Sequence, residues 1–145
     1  MPVLPDVSTL FRSLERNILR RDRISRRLRQ LYRRVSKEED YAILVEYVKS
    51  LRTSRRALLK VLRELRGVEL YGDYVDLVET MVDYMHAVGV HIEREVLIAV
   101  AEVLERSEST KGYVDEIKRV DMAELDELTH ELGSTLEFIR ARARG

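Results

Sequence analysis

Ten arginines stand between Ser8 and Ser36 against two acids, Glu15 and Asp22. Guanidinium groups at that density are either paired within the chain or offered to an anion outside it. Arg12, Arg16, Arg20, Arg23, Arg27 and Arg34 recur at i+3, i+4 or i+7, a spacing that lines them along one flank of a helix. Arg26, Arg29 and Arg33 make a second row on its outer side. The chemistry on offer is anion binding, with Arg12, Arg16, Arg20, Arg23, Arg26, Arg27, Arg33 and Arg34 as the candidate set. The anion is either the head groups of acidic lipid, where each basic residue near the surface contributes ~1 kcal/mol, or nucleic-acid phosphates. A solvated face paired with acids of the same chain is the competing reading, and locally it has only Glu15 and Asp22 to draw on. No aromatic suited to base stacking lies in the stripe, so nucleic-acid binding through it would be blind to sequence.

The elements that must carry this stripe are legible from apolar spacing. With position a at Val7, the first helix reads a = Val7, Leu14, Arg21, Leu28, Val35 and d = Leu10, Asn17, Ile24, Leu31. "SKEE" follows, with Ser36 and Glu39 spaced as a capping box that starts a second helix at once. Its seam is a = Tyr41, Val48, Arg55, Leu62 and d = Leu44, Leu51, Leu58, Leu65. Two matching seams predict an antiparallel hairpin over residues 7–66, with helices at 7–35 and 37–66, Leu28 near Val48 and Leu14 near Leu62. The same register puts Arg21 and Arg55 in one layer, with Asn17 beside them. Two unpaired cations there would repel each other and be costly to desolvate. This polar seam layer of Asn17, Arg21 and Arg55 therefore needs carboxylates from outside the hairpin, unless the side chains snorkel out to solvent.

The source of such carboxylates is plain from the charge distribution. Residues 1–72 carry 18 Lys+Arg and 9 Asp+Glu, while residues 73–145 carry 8 and 17, so a chain of zero net charge is strongly dipolar. The acidic half can fold over the basic half, pair head to tail with neighbouring copies, or leave the basic half to an anionic partner.

Beyond the hairpin, Asp73 is the expected N-cap of a short third helix with Val75, Val78, Val82 and Met85 on one face, stopping at Gly89. A fourth helix at about 92–106 presents Ile92, Val96, Ala99, Val100 and Val103. "SESTKG" is a loop, and "DMAE" at Asp121 and "STLE" at Ser134 each open a further short acidic segment. The tail "RARARG" is expected to fray. The organisation is a single helical domain over 1–145: the basic hairpin 7–66, short helices over 73–106, and a partly mobile acidic region over 113–145.

Other chemistry is sparse. "DYMH" ending at His86 and "ELTH" ending at His130 have the carboxylate-x-x-His spacing of di-iron bundles, but such spacing arises by chance in charged helices, and no metal or other cofactor is expected. No Gly-rich phosphate loop and no Ser/His/Asp constellation is present, so no enzyme is predicted. The chain has no cysteine, six Gly and two Pro among 145 residues, with 45% apolar content. That composition fits an all-α fold, a helical bundle or coiled coil, and a reducing compartment. No apolar run reaches the ~18 residues of a membrane span and Met1 to Leu10 lacks the pattern of a signal peptide, so a cytoplasmic location is expected. High Arg, Glu, Val and Leu with almost no Asn or Gln is the composition of a heat-adapted proteome.

The hairpin resembles the ESCRT-III family, particularly its archaeal cell-division branch, over about residues 12–88. "RRDRISRRLRQLYRRV" is similar to the Arg-Asp-Arg region late in the family's first helix, and "DYAILVEYVKSLR" to the entry of its second. "LRELRGVELYGDYVDLVETM" is similar to the passage from its second helix into its third. Departures are a Gly at position 67, where the family keeps an Ala-rich helix, and arms about one turn shorter. The resemblance implies a self-assembling, membrane-associated subunit whose arginine flank faces acidic lipid, peripheral on the membrane, with the acidic C-terminal region folding back on the flank. Duplex DNA is the alternative partner, since arginine-rich helices also wrap DNA in the capsid proteins of filamentous archaeal viruses, which would place the protein in a virion. A helical scaffold or interaction domain without an anionic partner is the third reading.

Overall fold

A computed structural model describes residues 6–144. The elements are α1 (Val7–Tyr32), α2 (Glu38–Leu65), α3 (Asp73–Tyr84), a π turn (Met85–Gly89), α4 (Val90–Leu104), α5 (Lys111–Glu116), a second π turn (Ile117–Asp121) and α6 (Met122–Arg144). The fold is all-α, as composition and patterning predict, and four long helical rods pack together.

Local chemistry sets the boundaries. Asp6 caps α1 by accepting from the Thr9 N–H at 2.8 Å. The capping interaction ahead of α2 falls one residue later than expected: Asp40, not Glu39, accepts the N–H groups of Ser36 and Lys37, each at 3.0 Å. Glu38, Glu39 and Asp40 also place three carboxylates at the positive end of the α2 dipole. Gly72, not Asp73, precedes α3, with φ +60° and ψ −143°. A backbone in that region is open to glycine and closed to almost everything else.

Two expected breaks are absent. The chain does not leave the helix at Gly89: Met85 and Val90 both have helical dihedrals, and the Val90 N–H donates to the Met85 carbonyl, one residue farther back than in an α-helix. The extra residue shifts the apolar stripe. Val78, Val82 and Met85 are buried on one side of the turn and Val90, Leu97, Val100 and Leu104 on the other, with a gap of five between Met85 and Val90 that reads as a boundary in sequence. Likewise the acidic segments are not separate. Asp121 closes the second π turn, Ser134 lies inside α6, and α6 buries Leu125, Leu128, Leu132, Leu136 and Ile139. The basic tail belongs to α6 as far as Arg144, and Gly145 lies outside the described residues.

The rods meet in a fixed order. α1 packs on α2 as the expected antiparallel hairpin, and Leu14, Leu28, Val48 and Leu62 are all buried. α1 also lies along α3 and α4 in the same direction, as Phe11 against Tyr74 and Asp22 against Tyr84 show. α2 lies along α5 and α6, also in parallel: Arg52, Arg56, Arg63 and Arg66 meet Glu116, Glu124, Glu127 and Glu131 in turn. α6 returns antiparallel to α3 and α4, with Arg140 on Glu79 and Arg94 on Asp126. α1 and α6 therefore stand across the bundle from each other, and the chain segment 66–72 crosses its end diagonally.

Candidate functional site

Two polar constellations belong to α1, one facing out and one facing in. Arg12, Arg16, Arg20, Arg23, Arg26, Arg27, Arg33 and Arg34 are all exposed. Among the described residues none of the eight has a carboxylate within salt-bridge distance. Their polar contacts are slight: Arg16 Nε donates to the Arg12 carbonyl at 3.5 Å, an Arg27 Nη1 to Gln30 at 3.4 Å, and Arg33 lies 5.8 Å from the Tyr32 ring centre. Arg29, in the second row, differs in having Glu95 of α4 at 3.4 Å. Leu19, 57% exposed, sits among these arginines as an apolar side chain on a cationic surface.

The acidic half does not cover this flank. Glu116, Asp121, Glu124, Glu127 and Glu131 are drawn to α2 and its C-cap Arg66 instead, while Glu79, Asp83, Asp115 and Asp126 pair with arginines of the second half itself. α6 lies on the far side of the bundle from α1 and pairs none of its described carboxylates with an α1 arginine. The local acids are no better placed: Asp22 is turned inward and accepts from the Tyr84 hydroxyl at 3.3 Å. Burial first, and the Asp22 charge second, push the Tyr84 phenol above its ordinary value.

The inward constellation is the polar seam layer. Arg21 and Arg55 do lie together, and both are buried, which excludes snorkelling. Glu93 stands between them: Oε1 accepts from Arg21 Nη2 at 2.7 Å and Oε2 from Arg55 Nε at 2.8 Å. Arg55 Nη1 reaches Asp121 at 2.8 Å and Glu124 at 2.9 Å. Asp121 in turn receives Arg52 through Nε and Nη2, at 3.0 and 2.8 Å, and Arg52 Nη1 binds Glu116 at 2.6 Å. Burial alone would lower the Arg55 pKa, but Glu93 and Asp121 outweigh it and hold the guanidinium above its ordinary value. For Arg52 the hydrogen bonds to Asp121 dominate and act in the same direction. Asn17 completes the layer by donating to the Ser54 carbonyl at 2.9 Å and to its hydroxyl at 3.3 Å. Beside Arg21 a cavity of about 10 Å³ touches the first π turn at Met85 and Gly89, room for roughly one water. Arg21 Nε is a buried donor without a partner among the described residues.

Glu93, Glu116, Glu124 and Arg52 are members of this cluster that the sequence did not single out, and Asp121 stood out in it only as the start of an acidic segment. A signal was available for two of them: Glu93 falls between Val90 and Leu97, and Asp121 between Ile117 and Leu125, at i±3 and i±4 within buried apolar stripes. A charge at such a position requires a buried partner. The His motifs do not converge. His86 packs near Gly133, whose added Cβ would sit 3.4 Å from its Nε2, while His130 is exposed. Among the described residues no three His, Asp or Glu side chains come together to hold a metal.

Fold and site define a class: an all-α four-rod bundle with an uncompensated arginine face on its first helix and a closed ion cluster in its core. No family model, no curated protein and no solved structure matches the chain. Among the described residues no helix is long and apolar enough to cross a membrane.

Proposed function

We propose that the protein is a non-enzymatic, self-assembling scaffold that binds acidic lipid surfaces through the arginine flank of α1. The observation that carries this reading is the segregation of charge: eight exposed arginines without a carboxylate partner among the described residues, while Glu116, Asp121, Glu124, Glu127 and Glu131 are engaged with α2 and its C-cap Arg66. From Arg12 to Arg34 the flank spans about 33 Å at helical rise, enough to engage several head groups at once. Leu19 within it suits a surface with an apolar interior better than a phosphodiester backbone. Self-assembly is supported by exposed acids that lack a cation among the described residues, Asp73 and Asp76 on α3 and Glu102 on α4, which complement the α1 flank of a second copy. The resemblance to ESCRT-III proteins extends the reading to membrane remodelling in cell division, with the protein peripheral on its membrane. None of the described carboxylates pairs with the eight arginines of the flank, so lipid binding requires no opening of the bundle.

Co-sedimentation with acidic and neutral liposomes, and gel shift with random duplex DNA, across a salt series, tests the proposal. Binding to acidic vesicles that weakens as salt rises is expected. Duplex binding without vesicle binding transfers the flank to a DNA-coating role, and binding to neither leaves a helical scaffold without an anionic partner.

A further inference from the structure

The arginine flank is not uniform. Between α1 and α2, on the outer side of the hairpin, lies an open groove of about 300 Å³. Arg16 and Arg20, one helical turn apart, rise from its α1 edge above Ser13 and Asn17. Thr53 and Ser54 form its α2 side, which continues into Ala57 and Val61. Among the described residues no carboxylate lines it. Of the other six arginines of the flank, Arg26 borders a smaller depression of about 130 Å³ on the opposite edge of α1, where Asp22 is also part of the lining.

The groove's hydrogen-bonding capacity is asymmetric in a useful way. Arg16 and Arg20 bring ten N–H donors in forked geometry, and only Arg16 Nε has a partner, the weak 3.5 Å contact to the Arg12 carbonyl. Thr53 spends its proton on the Lys49 carbonyl at 3.1 Å. Ser54 accepts from Asn17 and so retains its own proton for a ligand. Two cations at the rim, a hydroxyl donor in the floor and an apolar wall at one end make a receptor for an anion carrying one organic substituent.

We infer that this groove, within the lipid-binding reading above on which the inference rests, is a binding site for a phosphate monoester head group: the dianion sits between Arg16, Arg20 and Ser54, and its ester carbon lies toward Ala57 and Val61. A monoester presents three unsubstituted oxygens and a single chain to one side, so it can descend to Ser54. A phosphodiester has a substituent on each side and is held at the rim. The site therefore selects phosphatidic acid over phosphatidylserine at equal surface charge.

The test measures full-length protein on phosphatidylcholine vesicles doped with phosphatidic acid or with phosphatidylserine at matched zeta potential, with glycerol 3-phosphate as soluble competitor. Tighter binding to phosphatidic acid and displacement from it by glycerol 3-phosphate are expected. The paired variant Arg16→Gln/Arg20→Gln and the paired variant Arg23→Gln/Arg27→Gln, also one helical turn apart but away from the groove, remove equal charge. The first should weaken phosphatidic-acid binding by about tenfold more than the second, the scale of one charge-assisted hydrogen-bonding contact. Ala57→Leu, which fills the groove without altering charge, should erase the preference between the two lipids, with thermal melts confirming that each variant is folded. Equal losses from the two arginine pairs, or no preference in the wild-type protein, overturn the groove as a site and leave the flank reading standing. Wild-type binding to neither vesicle overturns both.

Discussion

Arg55 Nε donates to Glu93 Oε2 at 2.8 Å, and both residues are at most 1% exposed. This contact joins α2 to α4 and connects the hairpin to the second half of the chain. Glu93 also holds Arg21, so its removal leaves two buried cations without their shared anion. Glu93→Leu should destabilise the fold by about 3–5 kcal/mol, the cost of breaking a buried pair from one side. Arg21→Leu with Arg55→Leu should likewise lower stability. Adding Glu93→Leu to that pair should recover much of the loss, since Arg52 still neutralises Asp121 and apolar side chains replace the rest. Urea melts of the single, double and triple variants check the order.

The C-terminal helix is structural, so its deletion does not uncover a lipid-binding surface. Removal of residues from Lys111 onward strips seven buried apolar side chains from the core, Val114, Ile117, Leu125, Leu128, Leu132, Leu136 and Ile139, together with the carboxylate partners of Arg52, Arg56, Arg63 and Arg66 and all those of Arg55 except Glu93. The expected outcome is loss of the cooperative thermal transition in circular dichroism. A folded truncated chain with enhanced vesicle binding would restore the idea of a masking tail.

Asp40 links pH to stability at the start of α2. Backbone N–H groups of Ser36 and then Lys37 hold its carboxyl below the ordinary value. A depressed folded-state pKa contributes stability that is fully present above the unfolded value of about 4 and is lost as pH falls through the folded one. Asp40→Ala should therefore melt below wild type at pH 6, and the two melting temperatures should converge as pH falls below about 4.

Gly72 tests the backbone alone. A Cβ there meets nothing within 4 Å, yet the dihedrals belong to glycine. Gly72→Ala should cost about 1–3 kcal/mol in urea unfolding, entirely from conformational strain.

The hairpin was legible because Leu14, Leu28, Val48 and Leu62 repeat at heptad spacing, and the need for carboxylates at Arg21 and Arg55 followed from the same register. Which carboxylates would answer was not legible. Heptad spacing fixes partners within a hairpin, but the choice of Glu93, Asp121 and Glu124 depends on how two hairpins are placed side by side. The continuity of the later rods was hidden for a different reason. Gly89 and the five-residue step from Met85 to Val90 look like a helix end, and Asp121 and Ser134 look like caps, because local signals carry no information about whether the next turn packs against a neighbour. The separation of the acidic helix from the arginine flank escaped the sequence for the same reason as the choice of carboxylates, since net charge per half is silent on which face meets which.

The π turn at Met85–Gly89 gives this region of the gene an unusual freedom. The turn absorbs one more residue than an α-helical turn over the same span, and everything from Val90 onward keeps its place on Arg21, Arg55 and the core. Loss of a single codon at the exposed Ala87 or Val88 would close the turn to α-helical pitch and leave Glu93 where it is. Insertions and deletions are ordinarily confined to loops, because in a helix they rotate every later residue to a new face. Here the middle of a rod can change length by one, so related chains aligned across this segment would carry a one-residue gap inside a helix, with no change in the architecture on either side.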